Sequence, residues 1–419
     1  MDFEKGFELE SMDLIEIPKG LFILTWNVGF GGSICCGPVI SDDIVYFSSC
    51  DYNVYSISAK TGKELWRFKT GGVIFHSGPS LFGKRLYTGS GDGYVYALDL
   101  KGNLIWRFKT GDKVFGSAPV EKDGVVYFGS KDNNFYAVDA ETGKEIWRFK
   151  TGSFVGSTAS FNNEKIYFGS YDGNLYCLNL EGKEVWRFAT RGNIVNVQPF
   201  LIDNGRVYFG SQDRKLYCVD AETGKEVWRF AVKRGINTVP TLHKGILYFG
   251  SIDTNLYAVN TDGKEVWRFE TSGRIGGVKP TVHNDRIYFG SGRDEGILYC
   301  LDLDGKEIWR FRSGSAGIYS NAIVYGNHVY FGSYDCYLYC LNLSGKEIWR
   351  FATSTLTPAV IERIEEVPFE IKIPASESGE EKRLYEPKMS MADGQFDVIY
   401  STDIVYKTQS VYQSGKKYK

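Results

Sequence analysis

The sequence predicts an all-β protein, an eight-bladed β-propeller of four-stranded antiparallel blades that is followed by a C-terminal extension. Nine tryptophans recur at intervals of 39 to 42 residues between positions 26 and 349. Each interval contains four short segments rich in β-branched and aromatic residues, and residues that favour turns separate them. Eight units of about 40 residues, each with four strands, are typical of a closed propeller.

Residues 113–152 represent the repeat, KVFGSAPVEKDGVVYFGSKDNNFYAVDAETGKEIWRFKTG. Its predicted strands are 115–120, 125–129, 135–139 and 145–150. A Gly such as Gly143 follows the third strand in every unit, where a tight hairpin needs a residue that tolerates a positive φ.

A Ser-x-Asp turn between the second and third strands has two readings. Each Asp could accept hydrogen bonds within its own hairpin, or the eight Asp residues could form a rim that attracts cations. These residues are Asp51, Asp92, Asp132, Asp172, Asp213, Asp253, Asp294 and Asp335.

The Trp of the fourth strand and the Phe two residues later lie on one face, so we expect them to wedge between neighbouring blades. The Arg after the Trp is expected to stack on aromatic rings or to pair with a repeated Glu on a neighbouring blade; binding of a polyanion is the alternative. A solenoid is the alternative fold, but it would need distinct capping repeats.

Three segments are predicted: an N-terminal segment (1–20), the propeller (21–352) and a C-terminal extension (353–419) that joins a linker to a Tyr-rich, β-prone tail. Residues 21–28 supply one extra Trp-bearing strand, which could close the ring or lie against its outside.

Charge and composition exclude several classes of protein. Lys plus Arg is 49 and Asp plus Glu is 51, which argues against a basic nucleic-acid coat, and no nucleic-acid partner is expected. The first twenty residues carry six acids and two bases and lack an apolar core, unlike a secretory signal. No stretch has the length of a membrane span. We therefore expect a cytoplasmic protein whose eight cysteines are thiols.

The segment Ala137-Val-Asp-Ala-Glu-Thr-Gly-Lys-Glu-Ile-Trp147 resembles the repeat of pyrroloquinoline-quinone (PQQ) enzymes. The resemblance covers residues 21–352 and implies a PQQ-like propeller, but fold alone does not imply chemistry. Dehydrogenases of this family stack a disulfide between adjacent cysteines on PQQ, and Cys35-Cys36 is such a pair. The alternatives are PQQ with calcium as cofactors, or two small buried thiols and no cofactor. The long insertions that cover the cofactor in those enzymes are missing from this sequence, which favours the second.

The units differ most in sequence where their first strands approach the axis. While the outer strands repeat almost letter for letter, this ring does not, so we expect any small ligand at the axial mouth. The alternative is that these groups line a water-filled channel. The candidate residues are Cys35, Cys36, His76, Asn196, Gln198, Asn237, Lys279, Tyr319 and Asn321.

Two further features suggest protein partners. An insertion in the seventh unit places Arg293 and Glu295 in the longest turn, which would protrude. In the tail, tyrosines at positions 400, 406, 412 and 418 (Tyr400, Tyr406, Tyr412 and Tyr418) would share one face of an extended strand that adds to a blade or to another protein's sheet. The sequence therefore favours a non-catalytic scaffold for protein partners, with an oxidoreductase or small-ligand binder at the axial mouth as the alternative.

Overall fold

A computed structural model describes residues 23–24, 32–195, 197–277, 279–292, 295–314, 317–353, 397–400 and 404–407. The chain divides into two compact units, residues 29–355 and residues 1–28 together with 356–419. The first unit is an eight-bladed propeller, as predicted. Among the described residues, no helix is long and apolar enough to cross a membrane.

Each blade of the propeller is one antiparallel sheet whose four strands follow one another in the chain. We call these strands A to D, from the axis outwards. Strand β1 (Ile23–Leu24) precedes the blades. Blades 1 to 4 contain β2 (Val39–Ser41), β3 (Ile44–Ser48), β4 (Asn53–Ser58), β5 (Glu64–Lys69); β6 (Ser80–Phe82), β7 (Arg85–Gly89), β8 (Tyr94–Asp99), β9 (Leu104–Lys109); β10 (Val120–Lys122), β11 (Val125–Gly129), β12 (Asn134–Asp139), β13 (Glu145–Lys150); β14 (Ser160–Asn162), β15 (Lys165–Gly169), β16 (Asn174–Asn179) and β17 (Glu184–Ala189).

Blades 5 to 8 contain β18 (Leu201–Asp203), β19 (Arg206–Ser211), β20 (Lys215–Asp220), β21 (Glu226–Ala231); β22 (Thr241–His243), β23 (Ile246–Gly250), β24 (Asn255–Asn260), β25 (Glu265–Glu270); β26 (Thr281–His283), β27 (Arg286–Gly290), β28 (Ile297–Asp302), β29 (Glu307–Arg312); β30 (Ile323–Tyr325), β31 (His328–Gly332), β32 (Tyr337–Asn342) and β33 (Glu347–Ala352).

Strands B, C and D were predicted to within a residue in the unit at 113–152, but strand A was placed too early. The prediction was 115–120, whereas β10 is Val120–Lys122. The preceding residues cannot continue a regular ladder, because Gly116 has a φ of 74° and Pro119 has no N–H to donate. Instead, the Ser117 hydroxyl accepts a hydrogen bond from the Gly129 N–H at 2.8 Å. We call the irregular residues that precede each A strand, such as 115–119 in blade 3, the lead-in of that blade. The lead-in faces the axis.

The tryptophans join neighbouring blades, as predicted. The Trp147 Nε1–H donates to the Leu180 carbonyl of the next blade at 3.0 Å. A Cβ added to Gly182 would lie 2.6 Å from the Trp147 ring, so the Gly of this hairpin is required by the indole as well as by its own φ of 79°. The same donation recurs at all eight junctions, at 2.8 to 3.2 Å.

The ring closes between blades 8 and 1 by the same contact. Trp349 of blade 8 donates to the Ala59 carbonyl of blade 1 at 3.1 Å. Blade 8 also receives the lead-in to blade 1, because the Ile34 N–H donates to the Ser333 carbonyl at 3.1 Å. Since every blade takes its four strands from one continuous segment, side chains and lead-ins rather than a shared strand close the ring. This closure excludes the solenoid.

The Asp of the Ser-x-Asp turn is occupied by internal hydrogen bonds. In blade 3, Asp132 Oδ1 accepts from the Asn134 N–H at 2.9 Å. Its Oδ2 accepts from the Tyr136 hydroxyl at 2.5 Å and from the Gly111 N–H of the preceding loop at 2.7 Å. The Asp132 carboxylate therefore fixes its own turn and the preceding loop, which favours the capping interpretation over a cation-attracting rim.

The outer strand of each blade contains a β-bulge. In blade 4, Cys177 pairs with Trp186 and Leu178 pairs with Glu184, which leaves Val185 as the extra residue. The extra residue reverses the alternation of faces, so Glu184 and Arg187 share a side and form an ion pair at 2.6 Å. The expected pairing between neighbouring blades was therefore wrong, while the stacking of arginines on aromatic rings is confirmed by Arg187, 5.2 Å from the Tyr176 ring centroid.

The second unit contains a three-stranded sheet of β1, β34 (Asp397–Tyr400) and β35 (Ile404–Lys407). Ile23 pairs with Tyr400, and Val398 pairs with Tyr406. The prediction of one extended strand carrying all four tyrosines was wrong, because Tyr400 and Tyr406 belong to two antiparallel strands. The other two tyrosines and the extra Trp at position 26 lie outside the described residues.

Replacing Gly182 with Ala tests the indole–glycine contact against the effect of backbone conformation alone. Gly205 is the matched control, because its φ is 69° and an added Cβ would meet nothing within 4 Å. We expect Gly205→Ala to lower the free energy of unfolding by about 1 kcal/mol. Gly182→Ala should lower it by about 3 kcal/mol, because the methyl group also displaces the ring. Urea denaturation measures both, and equal losses would contradict the contact.

Candidate ligand site at the axial mouth

The lead-ins and A strands surround a central cavity of about 290 Å³. The residues that precede the A strands contribute polar side chains to its wall, among them Cys35, His76, Gln198, Tyr319 and Asn321. The A strands contribute mostly apolar side chains, among them Val39, Leu81, Val120 and Ile323. No Asp, Glu, Lys or Arg belongs to the described lining, so the cavity presents hydrogen-bonding groups without a formal charge.

His76 is the most unusual residue of this wall. Its φ is 51°, a conformation that few non-glycine residues adopt and that is enriched at functional sites. Only 9% of its surface is exposed, and its buried Nδ1 has no hydrogen-bond partner. Burial lowers the pKa of His76 to about 4, although a hydrogen bond with the Cys35 backbone opposes the shift. At neutral pH the ring is therefore uncharged and has one nitrogen left to bond.

Tyr319 and Asn321, from the lead-in to blade 8, belong to the same polar part of the wall. Tyr319 stands across from His76, because a Cβ added to Gly277 would lie 3.9 Å from both the His76 Cε1 and the Tyr319 Cδ1. The Asn321 Oδ1 accepts a hydrogen bond from the Lys279 N–H at 2.7 Å, which fixes the amide at the wall. This arrangement leaves a polar but rigid opening.

The thiols of Cys35, Cys36 and Cys50 lie close to one another. The Cys35 and Cys50 sulfurs are 3.1 Å apart and both residues are buried. Burial, and secondarily the neighbouring Cys35, raises the pKa of Cys36 to about 12. The Cys35 sulfur contacts Cys50, whereas the resemblance to PQQ enzymes had offered a disulfide with Cys36 as the less favoured alternative.

The structure brings together most of the predicted ring but not all of it. Cys35, Cys36, His76, Gln198, Tyr319 and Asn321 line the cavity. Asn237 and Lys279 do not belong to its lining; the Asn237 Oδ1 is buried without a partner, and burial lowers the pKa of the Lys279 amine. Asn196 lies outside the described residues.

The predicted partner residues of blade 7 require a correction. Glu295 is buried, with 6% of its surface exposed. It accepts hydrogen bonds from the Tyr299 hydroxyl at 2.6 Å and from the Gly273 N–H at 3.3 Å. It therefore occupies the structural position that we assigned to Asp294, because the insertion shifts the acidic residue of the turn, and it leaves little surface for a partner. Arg293 and Asp294 lie outside the described residues, as do Tyr412 and Tyr418.

Sequence reasoning missed two residues of the site. Thr158 lines the cavity and links blades 3 to 5, because its hydroxyl donates to the Val197 carbonyl at 2.8 Å and accepts from the Ala118 N–H at 3.1 Å. Thr158 is one residue before the Pro position in the blade alignment, as Gln198 and Asn321 are, but it was not among the predicted residues. Cys50 is the other, and its signal was the substitution of the Phe-Gly-Ser of other blades by Phe-Ser-Ser-Cys.

A second depression, of about 470 Å³, lies by the A–B hairpins of blades 2 and 3. Its charged side chains bind each other, since Arg85 is 3.7 Å from Glu121 and also pairs with Glu141. We regard it as a surface groove between ion pairs and place the candidate site at the axial mouth.

The residues present do not fit PQQ and calcium. Calcium prefers several carboxylate or carbonyl oxygens, whereas the described residues include no cluster of three or more His, Cys, Asp or Glu that could hold a metal ion. PQQ carries three carboxylates, and the described cavity wall offers no Lys or Arg to pair with them.

Comparisons with known proteins agree with the repeat. Residues 117–380 match the model of the family described as "Beta-alanine-activating enzyme, beta-propeller". Residues 23–106 match the family described as "Outer membrane protein assembly factor BamB". No curated protein matches the chain.

Solved structures share the architecture at low sequence identity. The computationally designed Ika8 protein has a TM-score of 0.66 at 16% identity, covering 75% of this chain and 98% of its own. BamB from Moraxella catarrhalis has a TM-score of 0.62 at 17% identity, and the match covers 76% of this chain and 95% of BamB. Quinohemoprotein alcohol dehydrogenase from Comamonas testosteroni has a TM-score of 0.64 at 15% identity, and the match covers 78% of this chain and 77% of the dehydrogenase. Likeness at this level of identity shows the fold alone.

Substituting His76 with Asn tests the buried neutral imidazole, because Asn tolerates the same backbone but does not titrate. The folded-state pKa of about 4 lies below the unfolded value of about 6.5. As the pH falls between these values the unfolded state binds the proton, so the wild type loses stability. By pH 5 this loss should reach roughly 2 kcal/mol relative to His76→Asn, starting from pH 7.5. Urea denaturation across this range measures it, and parallel pH profiles would contradict a buried neutral ring.

Proposed function

We propose that this chain, which belongs to the family described as "Beta-alanine-activating enzyme, beta-propeller", is a binding module without catalytic activity of its own. Its ligand is a small uncharged molecule held at the axial mouth. The observation that carries the proposal is the central cavity, whose described wall combines uncharged polar groups with the buried His76 imidazole, whose Nδ1 has no hydrogen-bond partner.

The absence of charge in the described wall selects the ligand. Moving an unpaired ion out of water into this cavity would cost several kcal/mol, on the order expected for buried charges without partners. An uncharged amide or hydroxyl group can instead bond with His76, Gln198 or Asn321, while an apolar ring or chain contacts Leu81 and Ile323. A volume of about 290 Å³ suits a ligand at the small end of the usual range.

The protonation states of the wall support binding rather than catalysis. His76, with a pKa near 4, is a weak base, and a thiol such as Cys36, with a pKa of about 12, is almost entirely protonated at neutral pH. General bases and thiolate nucleophiles work best with a pKa near the working pH. The pKa values of His76 and Cys36 both lie outside that range.

Binding of benzamide and of benzoate tests the proposal, because the two probes have the same size and differ in charge. We expect saturation-transfer NMR to detect benzamide but not benzoate, nor the zwitterion β-alanine. His76→Asn should weaken benzamide binding about tenfold, as expected for loss of one buried hydrogen bond. His243→Ala is the control, because His243 lies at the far end of an A strand, 3.0 Å from Asp285. Equal binding of the charged probes, or no binding of benzamide, would overturn the proposal.

A protein-binding scaffold is the second candidate, and exposed aliphatic side chains on the outer strands favour it. Most are single residues at the bulges, which are common on protein surfaces. Blade 2 differs, because Leu104 replaces the repeated Glu and lies beside Ile105; their exposed fractions are 46% and 42%. Arg107 consequently lacks the carboxylate three residues earlier and lies 4.8 Å from the Tyr94 ring centroid. We propose this edge as the partner surface. The exposed residues are Leu65, Leu104, Ile105, Ile146, Val185, Val227, Val266, Ile308 and Ile348.

Leu104→Glu tests the scaffold with little risk to the fold, since it gives blade 2 the residue that the other blades carry. We expect the free energy of unfolding to change by less than about 1 kcal/mol, as for surface ion pairs. Partners that co-purify with the wild type should be depleted at least fivefold, as quantified by mass spectrometry. Val185→Glu, at a single exposed bulge of blade 4, is the control. Loss of the same partners with both variants, or with neither, would contradict a surface on blade 2.

A further inference from the structure

The contact between Cys35 and Cys50 is too close to be ordinary packing. Their sulfurs are 3.1 Å apart, so a shift of about 1 Å would bring them to the 2.05 Å of a disulfide. Hydrogen bonds hold the two segments side by side, because the Cys50 N–H donates to the Ser33 carbonyl at 2.9 Å and the Ser49 hydroxyl donates to the Gly32 carbonyl at 2.9 Å. The pair is therefore aligned by the fold itself.

The other thiols have different surroundings. Cys177, Cys218, Cys300 and Cys340 each pair with a Trp across the C and D strands of their own blade. Cys36 follows Cys35 in the chain, but the Cys50 sulfur contacts Cys35. Cys35 also lines the central cavity, so a small molecule in the cavity would lie beside this residue.

The position of the pair bears on ring closure. Cys35 belongs to the lead-in that joins blade 1 to blade 8, where Ile34 bonds with Ser333 and the Thr353 hydroxyl donates to the Gly32 carbonyl at 2.6 Å. Cys50 lies in the B–C turn of blade 1. A covalent bond between them would anchor this lead-in to its blade at the one junction where the two ends of the ring meet.

We propose that Cys35 and Cys50 form an oxidation site, at which hydrogen peroxide entering the cavity produces a disulfide that fastens the ring-closing lead-in to blade 1. The Cys35 sulfur attacks the peroxide O–O bond and gives a sulfenic acid and one water. The Cys50 thiol then attacks that sulfur, and a second water leaves. Two thiols are oxidised, losing two protons and two electrons, and one peroxide is reduced to two waters. This proposal is independent of the ligand proposed above.

Peptide mapping of the intact protein tests the site. After peroxide treatment, alkylation in denaturant should label six of the eight cysteines. Trypsin leaves the three relevant cysteines in one peptide, residues 20–60, but cleavage before Asp42, Asp43 and Asp51 separates Cys35 and Cys36 from Cys50. We expect residues 20–41 to be linked to the fragment that ends at Cys50. Eight labelled cysteines, or a link that omits Cys50, would overturn the site.

Two variants assign the bond and test its effect. Cys36→Ser should still form the link, which then identifies Cys35 without ambiguity, whereas Cys50→Ser should retain every remaining thiol. The mapping of the wild type stays decisive even where a variant folds poorly. Oxidation should raise the melting temperature of the wild type by roughly 4 °C, since a cross-linked loop of this length restricts the unfolded chain, and should leave Cys50→Ser unchanged. A disulfide that forms without raising the melting temperature would overturn the fastening role.

Discussion

The packing of an indole ring on a glycine of the next blade is the contact on which the ring depends. Each blade is a sheet with two faces to cover, and the repeated Trp covers one face of its neighbour while its N–H satisfies a backbone carbonyl there. The contact leaves no room for a Cβ, so two residues about 35 positions apart are constrained together. Burial of aromatic area and satisfaction of a polar group coincide in a single side chain.

The contacts that stabilise the propeller and the residues that could recognise a ligand lie in different parts of each blade. The Tyr–Asp bonds of the top turns, the bulges with their Glu–Arg pairs and the Trp junctions repeat from blade to blade, and they are explained without a ligand. The lead-ins take part in fewer of these repeated contacts, because they lie around the axis and do not form a continuous ladder of backbone hydrogen bonds. Residues such as His76 and Gln198 can therefore differ from blade to blade, and a strained backbone such as that of His76 can be retained.

The fold could be predicted from the sequence because its signals are local and repeated. Trp spacing, hairpin glycines and the Ser-x-Asp turns each occur eight times, so an error in one unit does not change the conclusion. The predictions were wrong where a local change in backbone geometry altered which side chains meet. The bulge at residues such as Val185 is invisible in a strand pattern, and it moves the partner of Arg187 from the neighbouring blade to the same strand. Glu295 replaces Asp294 for a similar reason, because an insertion changes which side chain reaches Tyr299. The ring of mouth residues was found by alignment, whereas the contact of Cys35 with Cys50 depends on the distance between two segments that no spacing rule specifies.

The closure between the last blade and the first has a consequence for the order of the chain. Because no strand is exchanged there, the junction made by Trp349 and Ala59 is chemically the same as the seven internal ones. The covalent loops between blades are then connectors of equal rank, and cyclic permutation of the gene could begin the polypeptide at a different blade while preserving every indole contact. In such a molecule the starting point of the polypeptide is a matter of ancestry, and the architecture itself has no first blade.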